Sequence, residues 1–564
     1  MLALAKGEGV KLGLSLQCRH LGSAVGLVFA TLFFAASLTP TLIPRTYLTQ
    51  GALSGGCAAI GYGVGAALYW LWRYLELPEA RGRVRRLLHL LLAGGCAILL
   101  AACLWRATQW QNEVLRLMHQ EPVAGTYPLR ICVVALPIFL MLIALGRCFK
   151  IIFRRVANWT LHFVPRRVAN VIGLGVAGVL FWSIANGIVF RIAIHMLDAS
   201  FREADEMIAP DRVAPITSSK TGSPASLVAW DKLGRRGREF VSSGPTTGQI
   251  RAFTGKDAME PIRVYVGLPA GKTPAQRARL ALEELKRIGA FSRAALVVIT
   301  PTGTGWVDPA AVDTLEYLFH GNVASVAQQY SYLSSPLSLL IEPDYGADTA
   351  RALFSAVYGY WTTLPKGSRP KLYVHGLSLG AMNSERSFEL YELLGDPFSG
   401  ALWSGPPFKS RLWRLFTEGR ALGSPAWLPQ FGDSSFVRFM NQDGGAVPND
   451  MRWGPMRVVY LQYASDPVTF FDYRDLYRRP AWLAHPRGPD VSARLRWYPL
   501  VSMLQLAMDA AVATQAPVGY GHVFAPRHYI DAWLQVTGIN DWPAPEILRL
   551  KAHFAATDTA RPSD

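Results

Sequence analysis

Long apolar stretches dominate the first third of the chain, and short polar segments separate them. The hydrocarbon core of a bilayer is about 30 Å thick and needs roughly 20 apolar residues of helix to cross it. Five stretches predict membrane-spanning helices, at about Leu21–Ile43, Gly51–Trp72, Leu87–Trp105, Ile131–Leu145 with its flanks, and Val168–Ile194. Because almost no acidic residues separate these stretches, helices buried in a soluble core are the weaker alternative.

From residue 198 to about residue 230 the chain is polar and rich in proline, serine and threonine, which is typical of a linker. Beyond it, short apolar runs alternate with amphipathic helical patterns. Strands are predicted at Ile262–Val266, Ala294–Ile299, Leu372–Val374, Met456–Gln462 and Leu495–Tyr498. Helices are predicted at Ala275–Ile288, Ala347–Leu364 and Ser502–Ala513, and another begins at Leu379. This alternation predicts a mostly parallel sheet flanked by helices, with ligands bound at the carboxyl ends of the strands.

Composition agrees with a folded protein that is partly embedded in a membrane. Of the 564 residues, 51% are hydrophobic and only 17% are charged. Disordered chains have the opposite balance, so disorder is excluded. The predicted organisation is a transmembrane domain of about five helices at 1–197, a linker at 198–230, an α/β domain at 231–545 and a C-terminal tail at 546–564.

The formal net charge of +17 lies almost entirely in the first third of the chain. Residues 1–197 contain 19 lysines and arginines against 5 aspartates and glutamates, so the rest of the chain is close to neutral. A protein that binds single-stranded nucleic acid carries a basic groove with interleaved aromatic rings. The location of the charge therefore excludes nucleic acid as a partner and indicates the lipid bilayer.

Lysine and arginine counts also predict the orientation of the helices, because cytoplasmic loops carry the excess. One alternating set of flanks holds 14 of these residues, within Lys6–Arg19, Arg73–Arg86 and Arg147–Arg167. The opposite set holds 5, namely Arg45, Arg106, Arg116, Arg130 and Arg191. We therefore expect a cytoplasmic N-terminus and an extracytoplasmic α/β domain. The basic and aromatic segment Phe153–Phe163 predicts an amphipathic helix at the membrane interface.

Cysteine usage excludes one class of site from the α/β domain. All six cysteines lie between Cys18 and Cys148, within the predicted transmembrane domain. No disulfide framework and no cysteine-ligated zinc site is therefore expected in the C-terminal region. No other pattern indicates a metal ion or a cofactor, and we expect none.

The sharpest chemical motif is GLSLG at 376–380, a G-x-S-x-G that follows the predicted strand Leu372–Val374. A nucleophilic serine projects from a strained turn between strand and helix, and flanking glycines let the backbone pass close beneath it. The helix that follows places N–H groups and positive partial charge where an oxyanion would form. We therefore predict Ser378 as a nucleophile and the N–H of Leu379 as one oxyanion donor.

A serine on such a turn needs a base and an orienting acid, in the chain order Ser…Asp/Glu…His. Asp466 directly follows the strand predicted at 456–462, and His522 lies in the glycine-rich loop GYGH. We predict that His522 is the base and that Asp466 orients it. The alternatives are an Asp466 that only caps a turn, and the rival residues Asp472, Asp475, His485 and His528. His528 is expected at the start of a helix, as a surface or capping residue.

A second oxyanion donor should come from the loop after an earlier strand. The loop TGTG at 302–305 follows the strand Ala294–Ile299, and its glycines allow a close backbone approach. Gly303 and Thr304 are the predicted donors, and a plain tight turn is the alternative. The loop lacks the Lys-Ser/Thr ending of a P-loop, which argues against nucleotide binding.

Tryptophan, proline and phenylalanine are concentrated between residues 404 and 450. This segment lies where many enzymes with such a serine insert a cap over the nucleophile, and we predict a cap-like insertion here. Its aromatic side chains fit either an apolar acyl pocket or ordinary core packing.

Seven segments carry a family resemblance: SLTPTLIPR at 37–45, TPTGTGWVDP at 300–309, QYSYLSSPLSLL at 329–340, YVHGLSLGA at 373–381, LWSGPPF at 402–408, LQYASDP at 461–467 and GHVFAP at 521–526. With these segments the chain resembles the bacterial membrane-bound α/β-hydrolase family, in which a multi-pass N-terminal domain precedes a hydrolase domain. The resemblance implies an α-helical transmembrane bundle followed by an α/β-hydrolase domain, with Ser378 as nucleophile. One departure is the interval of 56 positions between Asp466 and His522. It includes a predicted helix, whereas the histidine of simpler relatives follows the last strand directly.

These observations predict a serine hydrolase or acyltransferase anchored in the bacterial cytoplasmic membrane, with its catalytic domain outside the cytoplasm. The expected substrate is a small-molecule or lipid ester, and a site held near a bilayer favours a lipid of the cell envelope. The alternative is a transporter or an envelope scaffold with a non-catalytic hydrolase-like domain. The near absence of acidic residues in the five spans argues against an ion or proton path.

Overall fold

The structure is a computed structural model that describes residues 24–123, 125–182, 212–333, 344–445 and 451–558, together with Asp205, Met207 and Val447. Contacts between residues divide the chain into two compact units. The first unit comprises Met1–Leu38, Tyr47–Thr108 and Gly125–Ala144. The second comprises Thr39–Thr46, Gln109–Ala124 and Leu145–Asp564, so the unit that carries the α/β domain also includes two short stretches of the N-terminal third.

The N-terminal helices are α1 Ala24–Ser37, α2 Tyr47–Tyr74, α3 Gly82–Leu117, α4 Tyr127–Thr160 and α5 Arg166–Trp182. Within the described ranges, three of them, α2, α3 and α4, are long and apolar enough to cross a membrane. Residues 21–23 of the first predicted span and residues 183–194 of the fifth lie outside the described residues. The segment Phe153–Phe163, predicted as an amphipathic helix, is helical up to Thr160 and continues α4.

Helix α1 ends at Ser37, six residues before the predicted end of the first span at Ile43. Pro40 follows closely, and the residue before a proline is disfavoured in helical conformation. The chain from Thr39 to Thr46 therefore leaves the helix, and its apolar residues Leu42 and Ile43 are buried in the second unit.

The second unit contains an eight-stranded sheet in the order β1-β3-β2-β4-β5-β8-β6-β7. All neighbouring strands run parallel except β6 and β7. The strands are β1 Ile262–Val266, β2 Ala295–Thr300, β3 Val323–Gln328, β4 Lys371–Leu377, β5 Gly400–Ser404, β6 Val437–Asn441, β7 Gly444–Gly445 and β8 Arg457–Leu461. Parallel strands are covered on both faces and therefore appear as continuous apolar runs. This explains why β1, β2, β4 and β8 could be predicted.

Helices cover the sheet and confirm the predicted α/β fold class. They are α6 Gly234–Ser242, α7 Thr247–Thr254, α8 Pro274–Arg287, α9 Pro309–Leu318, α10 Tyr345–Thr363, α11 Leu379–Glu385, α12 Arg411–Glu418, α13 Pro467–Phe470, α14 Val501–Ala511, α15 Pro526–Thr537 and α16 Ala544–Asp558. The strand predicted at Leu495–Tyr498 is wrong, because these residues lie in a loop. Leu495 is buried and Arg496 exposed there, so the alternation that suggested a strand reflects burial without sheet pairing.

Within its described residues, the segment 404–450 contributes the helix α12 and the strands β6 and β7. Its strand β6 lies beyond β8 and extends the sheet. Many of its aromatic side chains pack together: the ring of Phe416 lies 4.9 Å from that of Phe431 and 6.2 Å from that of Tyr460 on β8, between ring centroids. This cluster belongs to the hydrophobic core, which was one of the two roles expected for these residues.

Candidate active site

Ser378 lies on a sharp turn between β4 and α11. Its backbone angles are φ 57° and ψ −126°, a conformation that costs a side-chain-bearing residue on the order of 1–3 kcal/mol. Its N–H donates to the carbonyl of Ser404 at the end of β5, over 2.9 Å. Gly380 stands two residues further on, where a Cβ would overlap the carbonyl oxygen of Thr300. The last glycine of the motif therefore lets the start of α11 pass against the end of β2.

Asp466 lies just beyond β8 and caps the short helix α13. Its carboxylate accepts hydrogen bonds from the N–H of Val468 at 2.9 Å and from the hydroxyl of Thr469 at 3.1 Å. The side chain is fully buried, so these donors replace the water that an ionised carboxylate requires. The capping role that was the alternative for Asp466 is therefore present in the structure.

The same carboxylate also contacts His522. Asp466 Oδ2 lies 2.7 Å from His522 Nδ1, and the His522 side chain is 7% exposed. When Nδ1–H donates to the carboxylate, Nε2 carries the lone pair that a general base needs. Nε2 is buried and has no hydrogen-bond partner within the described part of the chain. Capping and orientation of a histidine are thus combined in one aspartate.

The step from Ser404 to Gly405 brings the serine turn and the Asp466–His522 pair to one place. Ser404 accepts the hydrogen bond from Ser378, and a Cβ on Gly405 would lie 2.7 Å from His522 Cε1 and 2.9 Å from Asp466 Oδ2. Gly405 has a φ of 49° and carries no side chain, so the imidazole can lie against the backbone. Gly405 was not among the predicted site residues, although a glycine directly after a buried strand can indicate a close backbone approach.

Of the three predicted oxyanion donors, Leu379 directly follows Ser378, and Gly303 and Thr304 lie in a loop after a neighbouring strand. Leu379 is the first residue of α11, where a backbone N–H has no intrahelical acceptor. Gly303 and Thr304 lie in the loop after β2, the strand next to β4. This loop is closed by hydrogen bonds from Thr302 N–H to the Trp306 carbonyl and from Gly305 N–H to the Thr302 carbonyl, both 2.9 Å.

The two alternative histidines, His528 and His485, lie in environments different from that of His522. His528 is buried, contrary to expectation. Its Nδ1 lies 2.6 Å from the hydroxyl of Tyr463, and Arg527 Nε donates to its Nε2 over 2.9 Å. Burial and the charge of Arg527 lower the pKa of His528 to about 3, so the ring is neutral at physiological pH and both nitrogens have partners. His485 is exposed in a loop.

The rival carboxylates cap a single helical turn at 473–476. Asp472 accepts a hydrogen bond from the N–H of Arg474 and pairs with its guanidinium. Asp475 is buried, and burial raises its pKa to about 7. Neither residue has a hydrogen bond to a histidine among the contacts of the described residues.

Hydrogen bonds among Asp490, Ser465 and Gly521 connect the loop of Asp466 to the loop of His522. The buried carboxylate of Asp490 accepts hydrogen bonds from the N–H of Ser465 at 3.1 Å and from its hydroxyl at 2.5 Å. The Ser465 hydroxyl in turn accepts the N–H of Gly521 over 2.9 Å. Ser465 precedes Asp466 and Gly521 precedes His522, so these hydrogen bonds join the two loops. Ser465 and Asp490 were not among the predicted residues, and no local pattern marks them.

The described residues contain no group of three histidine, cysteine or carboxylate side chains that could hold a metal ion.

Comparison with known protein families agrees with the α/β fold. A model of an alpha/beta-hydrolase family matches residues 262–550, and a model of the N-terminus of an alpha/beta-hydrolase family matches residues 38–245. Comparison with curated proteins and with solved structures gave no match. The first match covers more than half of the chain, so the protein belongs to an alpha/beta-hydrolase family and carries the N-terminal region of such a family as well.

Proposed function

We propose that the protein is a membrane-anchored serine hydrolase or acyltransferase that cleaves ester bonds through Ser378, His522 and Asp466. The observation that carries this proposal is the buried 2.7 Å contact between Asp466 Oδ2 and His522 Nδ1, beside a serine held at positive φ. A hydroxyl is a poor nucleophile without a base. His522, whose Nε2 has no partner among the described residues, lies against Gly405 directly after β5, and the turn of Ser378 is hydrogen-bonded to the neighbouring Ser404. We infer that this Nε2 is the base.

In the proposed reaction, Ser378 Oγ attacks the ester carbonyl carbon and its proton passes to His522 Nε2. Asp466 keeps the imidazole in the required tautomer and stabilises the imidazolium. The negative oxygen of the tetrahedral intermediate accepts hydrogen bonds from the N–H of Leu379 and from the loop that carries Gly303 and Thr304. The alcohol leaves with the proton from Nε2. Water, or an acceptor alcohol, then attacks the acyl-serine with His522 again as base.

Membrane anchoring supports an apolar substrate. Among the described residues, three helices are long and apolar enough to cross a bilayer. The α/β unit includes Thr39–Thr46, which connects α1 to α2, and Gln109–Ala124, which contains the end of α3. A site carried by such a unit meets lipid esters at high local concentration. We therefore propose a lipid or envelope-glycolipid ester as the substrate class.

Labelling with a fluorophosphonate, a probe that reacts with activated serines, tests the proposal. The purified full-length protein should be labelled, and Ser378→Ala should abolish the signal. Ser434→Ala is the matched control, because Ser434 is also buried and also has a positive φ, 58°, but lies in a turn away from the Asp466–His522 pair. Labelling that persists in Ser378→Ala would refute the role of Ser378. A wild-type protein that is never labelled would favour the non-catalytic transporter or scaffold.

A further inference from the structure

The loop that carries two of the proposed oxyanion donors is a tight turn. The N–H of Gly305 donates to the carbonyl of Thr302 over 2.9 Å, which closes a β-turn of four residues. Its two central residues are Gly303 and Thr304, whose N–H groups take no part in closing the turn. Rotation of the peptide between them would replace the N–H of Thr304 by the carbonyl of Gly303. The turn therefore needs a fixed orientation if it is to present donors to an oxyanion.

One end of this turn is hydrogen-bonded to a tyrosine of the sheet. The hydroxyl of Tyr265 on β1 donates to the carbonyl of Gly305 over 2.7 Å. Both residues are buried, so each group is the partner that the other needs away from water. A buried carbonyl that loses its partner is costly. The position of the Tyr265 hydroxyl therefore fixes where the turn ends.

The tyrosine reaches the turn across a neighbouring strand, because β3 lies between β1 and β2. Tyr265 on β1 pairs with Ala327 on β3, which in turn pairs with Ile299 on β2. Side chains alternate between the two faces along each strand, so the members of such a row lie on one face of the sheet. The small side chain of Ala327 leaves room for the tyrosine to extend over β3 toward the loop that follows β2.

A glutamine lies against the same glycine. Gly305 has a φ of 83°, and a Cβ there would overlap the hydroxyl of Tyr265 and lie 2.9 Å from Gln329 Cγ. Gln329 follows β3; its N–H donates to the carbonyl of Val266 over 2.9 Å, and its side-chain oxygen accepts the N–H of Leu268 over 3.2 Å. Gln329 is thus fastened to the end of β1, the strand that carries Tyr265. Glycine is required at position 305, and the turn has little freedom to move there.

The residue before the turn packs against the helix that follows Ser378. A Cβ on Gly380, the second residue of α11, would lie 2.8 Å from the carbonyl oxygen of Pro301. Pro301 directly precedes Thr302, so the start of α11 and the start of the turn are in contact. A movement of the two central residues of the turn relative to Pro301 is therefore also a movement relative to the serine.

We propose that Tyr265 is a positioning residue for the reaction of Ser378. Its hydroxyl holds Gly305 so that the N–H groups of Gly303 and Thr304 face the negative oxygen of the tetrahedral intermediate. A hydrogen bond weakens steeply when its donor is misaligned, so a displaced turn stabilises this oxygen poorly. Tyr265 acts through the turn and not on the reacting atoms. This inference rests on the proposed serine chemistry and adds a residue of β1 to it.

The rate of fluorophosphonate labelling tests this role. In that reaction Ser378 Oγ bonds to phosphorus, fluoride leaves and the serine proton passes to His522, while negative charge grows on the phosphoryl oxygen. The full-length protein in detergent is labelled over a range of probe concentrations, which separates the limiting rate constant from the half-saturating concentration. Tyr265→Phe keeps the ring and removes the hydroxyl. We expect its limiting rate constant to fall about tenfold to a hundredfold, with the half-saturating concentration unchanged.

Two further readouts separate positioning from mere stabilisation of the fold. The fraction of Tyr265→Phe that is finally labelled should equal that of the wild type, because a variant that is only less stable lowers this fraction and not the rate constant. The pH of half-maximal rate, which His522 sets, should also be unchanged. A lower labelled fraction at a normal rate constant, or a displaced pH profile, would refute the positioning role.

The matched control is Tyr358→Phe. The hydroxyl of Tyr358 on α10 also donates to a backbone carbonyl over 2.7 Å, that of Asp396 between α11 and β5. This control should be labelled at the wild-type rate, and an equal loss of rate in both variants would contradict a specific role for Tyr265. A wild-type protein that is never labelled would refute the serine chemistry itself. A labelled wild type together with an equally fast Tyr265→Phe would refute this inference alone.

Gly305→Ala tests the same contact from its other partner, and it also serves if Tyr265→Phe does not fold. The added methyl group would overlap the hydroxyl of Tyr265 and displace the turn, so labelling should again be slower. The double variant should be no slower than the slower single variant, since two changes at one contact are not additive. Gly305→Ala labelled at the wild-type rate, or losses that multiply in the double variant, would overturn the proposal.

Discussion

Arg45 and Asp509 lie 464 positions apart in the chain and form a buried ion pair, with Arg45 Nε 2.6 Å from Asp509 Oδ1. Arg45 belongs to the loop between α1 and α2, and Asp509 lies on α14, which precedes the loop of His522. The second carboxylate oxygen of Asp509 accepts the N–H of Leu42 over 3.2 Å. The pair therefore fastens the loop between two apolar helices to the part of the α/β unit that leads to the proposed base.

Replacing Arg45 by alanine should destabilise the protein severely. The change leaves the carboxylate of Asp509 buried without its counter-charge, which typically costs about 3–5 kcal/mol. The double variant Arg45→Met with Asp509→Leu should recover much of this loss, because it leaves no buried charge. Denaturant unfolding of the full-length protein in detergent measures both. Arg414→Ala, which breaks an exposed pair with Glu418, is the control and should cost at most about 0.5 kcal/mol. A single variant as stable as the wild type would contradict the fastening role.

Ser465→Ala should slow the reaction of Ser378 without unfolding the protein. The hydroxyl of Ser465 joins the loop of Asp466 to the loop of His522, and a small misplacement of catalytic groups can cost about a hundredfold in rate. We expect the fluorophosphonate labelling rate to fall about tenfold to a hundredfold, and Ser465→Thr, which keeps a hydroxyl, to restore part of it. Ser410→Ala is the control, because the buried Ser410 hydroxyl has no partner among the described residues. If Ser465→Ala and Ser410→Ala lower the thermal midpoint equally and are labelled at equal rates, Ser465 has no positioning role.

Some residues of the candidate site could be predicted from the sequence and others could not. Asp466 and His522 could be proposed because each stands in a local context, a strand end and a glycine-rich loop, and the structure brings them within 2.7 Å. Ser465 and Asp490 could not, because their roles depend on a contact between distant segments. An isolated aspartate in an arginine-rich stretch resembles an ordinary surface charge.

At two places the burial of residues differs from what their hydropathy and sequence context predict. Leu42 and Ile43 are as apolar as a membrane span, and the chain turns them into the protein interior instead. His528 follows a proline at the start of a helix, which suggested a surface position. His528 is buried because α15 packs against β8, and its Nδ1 is hydrogen-bonded to the hydroxyl of Tyr463. Apolar content alone does not distinguish lipid from a protein core, and only the tertiary fold decides burial.

Reporter fusions should place the α/β unit and two connecting loops on the same side of the membrane. Thr39–Thr46 and Gln109–Ala124 belong to one compact unit with the α/β domain. Both belong to the set of flanks that holds fewer lysines and arginines. Alkaline phosphatase, which is active only outside the cytoplasm, should therefore be active when fused after Ile194. It should be inactive when fused after Pro78, between α2 and α3. Activity in the opposite pattern would reverse the orientation, and equal activity at both sites would contradict the alternation of spans.

The stability of the protein should fall as the pH rises through the neutral range, in part because of Glu385. This residue ends α11, the helix that begins after Ser378. Its carboxyl group accepts the hydroxyl of Tyr460 at 2.9 Å and the N–H of Leu412 at 3.1 Å. Burial raises its pKa from 4.5 to about 8 in the folded protein. The unfolded chain thus loses this proton near pH 4.5, while the folded chain keeps it to about pH 8.

Between these two values the folded state binds more protons than the unfolded state, so stability decreases with pH by up to about 1.4 kcal/mol per pH unit. Glu385→Gln keeps the shape of the side chain and cannot ionise, so its thermal midpoint in detergent should depend less on pH between about pH 5 and about pH 8. Asp475, whose pKa burial raises to about 7, acts in the same direction and should leave a residual slope. A variant whose midpoint falls as steeply as that of the wild type would mean that Glu385 ionises as readily in the folded protein as in the unfolded chain.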